Sequence, residues 1–295
     1  MLPPGSRAPK RTNFFLDAIS ISHLWDNGPR MRRTRPIIRN RSGLPGQYGP
    51  LLAAVLIFPL IPELSAGGRK LYSDDFRHGI GRWAVEQQPG GTIAAEKGTL
   101  VIRDVGGCTV WFRPKLNAPV SISYVAKVAA KPRVSDLNCF WMATDPARPG
   151  DLLAPGHRRD GSFASYDSLR TYYVGYGGND NTTTRFRRYA GDGSRPLLPE
   201  HDLKAPEVLL RPDEPYRITL VVVGERIQFI RNGQVIFDIH DPQPLTSGWF
   251  GFRTVQSHIE VRDFVVREAS TKDLLQYPGY GRPKKHTAKT TKTAK

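Results

Sequence analysis

The chain has 295 residues, with 43 Lys+Arg against 27 Asp+Glu and a formal net charge of +16. The excess sits at the ends: residues 1–50 hold nine Lys+Arg against two Asp+Glu, 270–295 hold seven against one, and 51–269 hold 27 against 24. A body this close to neutral argues against a nucleic-acid-binding domain, whose basic patch belongs on the folded part.

Residues 1–50 are rich in Pro, Gly and Arg without periodicity. The run LLAAVLIFPL, 51–60, is the one strongly apolar stretch, and it is too short to span a bilayer comfortably as a helix. Arg32, Arg33, Arg35, Arg39 and Arg41 precede it and Ser65-Ala66-Gly67-Gly68 follow it. That layout predicts a basic leader over 1–66 with a signal peptide, an apolar region about 51–62 and cleavage near Ala66. The expectation is export to the periplasm or beyond, with no stable membrane span. An uncleaved anchor is the alternative, and Met31 competes with Met1 as the start.

From Lys70 the pattern changes to short strands separated by turn residues: LYSDDF, GTLVIRD, CTVWFRP, VSISYVAKV and SDLNCFWMAT, then a hairpin over 169–189. YRITLVVVG, RIQFIRNGQVIFDIH, SGWFGFRTV and SHIEVRDFVVRE follow. With no segment of helical period, this predicts one all-β sandwich or jelly roll over 67–269 and a disordered basic tail over 270–295. Asn232-Gly233 is the strongest turn signal, a two-residue hairpin. The irregular inserts 145–166 and 191–215 are long enough to cover or line a site. Cys108 and Cys139 fall in predicted strands, as one disulfide or as buried thiols, and no metal-type Cys/His spacing occurs.

The hairpin LRTYYVGYGGNDNTTTRFRRY organises the rest. On its first strand Arg170, Tyr172, Val174 and Tyr176 share one face, and Thr171, Tyr173 and Gly175 the other. On its second, Thr183, Arg185, Arg187 and Tyr189 oppose Thr182, Thr184, Phe186 and Arg188. Tyr and Arg presented together suit stacking on sugar rings and binding of carboxylates and hydroxyls. Which faces coincide depends on the hairpin register, since a slip of one residue swaps them.

LYSDDFRHGIGRWAVE, GTLVI and RIQFIRNGQVIFDI…SGWFGFRTVQSHIEVRDFVV resemble the concanavalin A-like lectin/glucanase superfamily. GGCTVWF, SDLNCFWMATDP, the hairpin and LLPEHDL resemble a secreted bacterial family of unknown function within it. The resemblance implies a two-sheet concanavalin A-like jelly roll, pairing of the first and last strands, and a concave carbohydrate cleft. It does not imply a reaction, because the superfamily holds lectins, hydrolases and lyases. The Glu-x-Asp-x-x-Glu strand of laminarinase-type hydrolases is absent.

Three readings follow. A polysaccharide lyase needs a cation on a uronate carboxylate plus an acid and a base. For it the chain offers Arg170, Arg185, Arg187 and Arg253 with Tyr172, Tyr173, Tyr176 and His201. A glycoside hydrolase with dispersed carboxylates would draw on Asp136, beside Asn138 on one face, or on the Glu200-His201-Asp202 triplet; Asp145 reads as turn chemistry. A non-catalytic sugar-binding or wall-associated module would use Trp111, Trp141 and Trp249 as platforms, although core packing explains them as well. In every case the expected partner is a polysaccharide or oligosaccharide, uronate-bearing in the sharpest version, bound by a monomer. No cofactor is required, and Asp75 with Asp263 could share a structural Ca²⁺ if the terminal strands pair, as in some relatives.

Overall fold

The computed structural model describes residues 68–156 and 158–276. The expected signal segment, the Arg-rich leader and most of the basic tail lie outside the described residues. Sixteen strands follow in chain order: β1 Lys70–Asp74, β2 Trp83–Gln87, β3 Thr92–Glu96, β4 Thr99–Arg103, β5 Cys108–Phe112, β6 Leu116–Asn117, β7 Val120–Val128 and β8 Asn138–Thr144. The second half comprises β9 Arg170–Gly177, β10 Thr183–Ala190, β11 Asp202–Leu203, β12 Tyr216–Val223, β13 Arg226–Arg231, β14 Gln234–His240, β15 Ser247–Thr254 and β16 His258–Glu268.

They form two antiparallel eight-stranded sheets. The back sheet runs β14-β13-β12-β7-β16-β4-β3, with β1 on β16; the front sheet runs β11-β10-β9-β8-β15-β5-β2, with β6 on β15. This is the all-β jelly-roll sandwich that the strand pattern predicts. The first and last strands pair, with Asp74 opposite Phe264. Asn232 and Gly233 both take positive φ between β13 and β14, the two-residue hairpin their identities favour. Among the described residues no helix is long and apolar enough to cross a membrane.

Strand alternation sorts the front sheet into two faces. Cys139, Trp141, Tyr172, Val174, Tyr176, Phe186, Phe250 and Phe252 point between the sheets and join the main core. Burying each such side chain contributes about 1.5–3 kcal/mol. Cys108 and Cys139 are buried free thiols. Burial pushes Cys139 up to about 12, against a hydrogen bond to Tyr124, so this thiol is unreactive.

The outer face of the same sheet carries a second apolar cluster. Ala84, Trp111, Phe140, Tyr173, Tyr189 and Trp249 meet Leu152, Tyr166 and Leu169 from the insert 145–169. Tyr166 lies on Phe140 at a ring separation of 5.5 Å, and Phe140 on Trp111 at 5.6 Å. The three tryptophans singled out in the sequence are therefore packed, not open platforms. Trp111 and Trp249 lie under or beside the insert, and Trp141 lies between the sheets. On the outer face of the back sheet, Leu274 and Leu275 pack near Val221, Ile230 and Val235. Gln228 anchors them there, its amide donating to the Leu275 carbonyl (2.7 Å) and accepting from the Leu275 N–H (2.9 Å).

Candidate functional site

Pairing register lines up one residue from each strand of the front sheet. Glu86 faces Thr109, Thr109 faces Arg253 and Arg253 faces Asn138. Cys139 opposite Val174 sets Asn138 beside Gly175, and Gly175 faces Arg185, which faces Asp202. The result is a polar row crossing the sheet from β2 to β11. The adjacent row runs Ala84, Trp111, Gly251, Phe140, Tyr173 and Arg187. Two glycines make room for its rings. A Cβ on Gly251 would stand 2.6 Å from the Trp111 ring, and one on Gly175 would stand 3.0 Å from the Tyr173 hydroxyl.

Where the two rows leave the insert they floor a cavity of about 660 Å³, within the range of ligand clefts. Asn138, Tyr173, Gly175, Arg185 and Arg187 form the floor, Phe163 and Arg195 one wall, and Arg133, Asp136 and Gly178–Asp180 the other. Arginines outnumber carboxylates four to two. Both carboxylates are committed: Arg133 bridges Asp136 and Asp180, and Asp136 also accepts from Ser135 Oγ (2.9 Å) and Asn138 Nδ2 (3.1 Å). Arg185 is held at 2.7 Å by Asp202. Arg187 donates to the Arg195 carbonyl and has no ion-pair partner among the described residues. Arg195 Nε lies 3.4 Å from Asp167.

Burial holds the Tyr173 hydroxyl well above its ordinary pKa; Tyr189 and Asp136 reinforce the shift, and Arg253 and Arg187 oppose it. It therefore stays protonated and available as a hydrogen-bond donor at neutral pH.

The hairpin register decides which sequence-predicted residues meet here. Arg187 faces Tyr173 and Arg185 faces Gly175, so the basic face of β10 is shared with Tyr173, not with Arg170, Tyr172 and Tyr176. Asp136, Asn138, Tyr173, Arg185 and Arg187 come together. Tyr172 and Tyr176 correct the expectation of a shared Tyr/Arg ligand face, because both are buried between the sheets. The Tyr172 hydroxyl donates to Asp241 (2.7 Å), and Tyr176 accepts from Arg231 (3.2 Å). Arg170 lies exposed at the far end of β9, near the Ala190 carbonyl. His201 does not enter the cavity; its ring packs edge-on against Phe186 (5.3 Å) and Phe237 (6.3 Å) of the inter-sheet core. Arg253 lies on the correct face but is fully buried beneath the insert, donating to the Gly161 carbonyl (2.6 Å) and flanked by the Phe163 and Tyr166 rings.

Asp75 and Asp263 do line one shallow depression beside β1 and β16, as the strand pairing requires. Asp75 sits 3.7 Å from Arg77 and Asp263 3.9 Å from Arg262. Among the described residues no group of three or more His, Cys, Asp or Glu side chains converges as a metal site. Asp145 accepts from the Ala147 N–H (3.0 Å), which is turn chemistry, and also bonds Arg159 (2.7 Å). Sequence reasoning missed Arg133, Phe163 and Arg195. Arg133 and Arg195 sit in irregular segments with no strand period to assign a face, and Phe163 is a lone aromatic within a Gly- and Ser-containing insert.

No curated protein matches the chain. Among solved structures, a protein of unknown function with a galectin-like fold from Bacillus subtilis is 23% identical, with a TM-score of 0.55 over 68% of this chain and 96% of that one. This shows the fold. The carbohydrate binding module CBM66 from Bacillus subtilis (13% identity, 63% and 96% covered, TM-score 0.42) is a more distant likeness. So is an endo-β-1,3-glucanase from Pyrococcus furiosus (11%, 68% and 94%, TM-score 0.45). Residues 102–264, more than half of the chain, match one family model across nearly all the strands that build the cavity, and the chain belongs to that family, described as a domain of unknown function (DUF6250).

Proposed function

We propose that the protein is an exported carbohydrate-binding protein whose front-sheet cavity takes an acidic saccharide, with a uronate carboxylate seated against Arg187. One observation carries this reading. Four arginines line the cavity, both lining carboxylates are tied to Arg133, and Arg187 is left with only a carbonyl for a partner. A planar guanidinium beside a protonated Tyr173 hydroxyl suits bidentate recognition of a carboxylate with a further donor on a ring oxygen or hydroxyl.

A second reading rests on Tyr173. Its hydroxyl lies on the cavity floor with Arg187 opposite, an acid and a charge-neutralising cation, two of the three groups that β-elimination from a uronate requires. The base for the C5 proton would have to come from Asp136 or Asp180, both tied to Arg133. Hydrolysis is less favoured, because it needs two working carboxylates flanking the bond and Asp136 and Asp180 share one arginine. Incubation with pectate, alginate and hyaluronan, read by both ultraviolet absorbance of unsaturated sugars and reducing ends, separates the cases. Binding with neither signal is the expected outcome for a binding protein, and unsaturated product establishes the lyase. Absence of binding to every acidic glycan contradicts the proposal.

A further inference from the structure

The polar row spans the front sheet, but only its β8–β10 part opens on the cavity. The insert 145–169 seals its β15–β2 part at several points. Its Arg159 backbone N–H donates to Glu86 (3.1 Å) while the guanidinium bonds Asp145 (2.7 Å), and Gly161 accepts from Arg253 (2.6 Å). Phe163 stands at the boundary. Its ring lies 5.7 Å from that of Tyr173 in the cavity and 5.5 Å from the Arg253 guanidinium behind it. Arg195, from the second insert, sits 5.1 Å over the same ring and joins the first insert through Asp167. Across the cavity, Arg133 ties Asp136 to Asp180 at the hairpin tip.

A groove that holds the interior of a polymer must be open at two opposite ends, and this one stops at Phe163. We infer that the cavity receives the end of an acidic glycan chain and excludes its interior; the inference rests on the acidic-saccharide reading above. A second observation marks what the insert has cut off. Arg253 Nε and Nη2, beneath the insert, are buried with no hydrogen-bond partner in the structure. Buried polar atoms normally find partners. They lie in the row where a continued chain would pass, beyond the Phe163 wall.

The test is binding stoichiometry by calorimetry on the full chain, with galacturonate oligomers from dimer to octamer and with polygalacturonate of known mean length. Polymannuronate and hyaluronan oligosaccharides serve as parallel probes. One protein per saccharide chain at every length, with affinity per chain flat once the cavity is filled, is the expected result. A protein count that grows with chain length overturns end recognition while leaving the acidic-saccharide reading intact. No binding to any of the three uronate series overturns that reading and this inference with it.

Discussion

The hydroxyl of Tyr172 lies 2.7 Å from an Asp241 carboxylate oxygen inside the sandwich, while that of its neighbour Tyr173 opens on the cavity. The two residues therefore predict opposite phenotypes. Tyr172→Phe removes a donor from a buried carboxylate and an acceptor from the Leu245 N–H (2.9 Å), and should cost about 1–3 kcal/mol while leaving saccharide binding unchanged. Burial alone would raise the Asp241 pKa, but hydrogen bonds from Tyr172 and Arg188 outweigh it and hold the group below its ordinary value. A depressed folded-state pKa gives stability that is present above the unfolded value and is lost as pH falls through the folded one. Tyr172→Phe should thus move the acid-unfolding midpoint to higher pH, measured by fluorescence. Tyr173→Phe should instead melt near the parent and bind less well. His201 supplies a third case, because burial against Phe186 and Phe237 lowers its pKa from 6.5, more than Glu200 raises it. The unfolded chain then takes up this proton first, so stability falls as pH drops below about 6.5 until the folded-state value is passed. His201→Gln should flatten that part of the melting-versus-pH curve and leave binding intact; lost binding would restore it to the site.

At the scale of elements, the hairpin tip shows how sequence and packing share the work. Asn179, Asp180 and Asn181 all take positive φ, a conformation that Asn and Asp tolerate better than other side chains. Asn181 repays that strain by pairing with Leu210 of the second insert, donating to its carbonyl and accepting from its N–H, each at 2.8 Å. Asn181→Ala loses both bonds and keeps the left-handed backbone, so chemical denaturation should show a loss of about 2–3 kcal/mol. The turn at 177–181 and the flanking strands were legible from residue type alone. The pairing of faces was not, because Tyr172 and Tyr173 differ by one position and only the register, with Arg187 opposite Tyr173, separates core from cavity. Strands β2 and β3 escaped for another reason. TIAAE is poor in β-formers and is held as an edge strand by β4, and WAVEQ is held by β5. An insert is expected over 145–166 as a cover or lining, and the structure extends it to 169; its apolar anchors Leu152, Tyr166 and Leu169 are too sparse in sequence to reveal that it closes half the face.

For the whole molecule, the two sheets bury one continuous core, and the segment after β16 returns to the back sheet through Gln228 and Leu275. A chain of residues 68–276 should therefore fold cooperatively with a β-type circular dichroism spectrum. Ending it at residue 269 should lower the melting temperature, since Gln228 then loses both partners and Val221, Ile230 and Val235 lose their cover. The back sheet thus secures the framework, and the front sheet carries the cavity. Arg187, left with only a carbonyl for a partner among arginines that each hold a carboxylate, is the feature on which the functional account depends. The most direct measurement is the affinity of the protein for an oligogalacturonate and for the same oligosaccharide with its carboxyls reduced to alcohols, repeated with Arg187→Ala. The account predicts that the native sugar binds, that salt weakens it, and that carboxyl reduction and Arg187→Ala each reduce affinity by about 10- to 100-fold without lowering the melting temperature. Equal affinity for the acidic and reduced sugars, unchanged by Arg187→Ala, would contradict it.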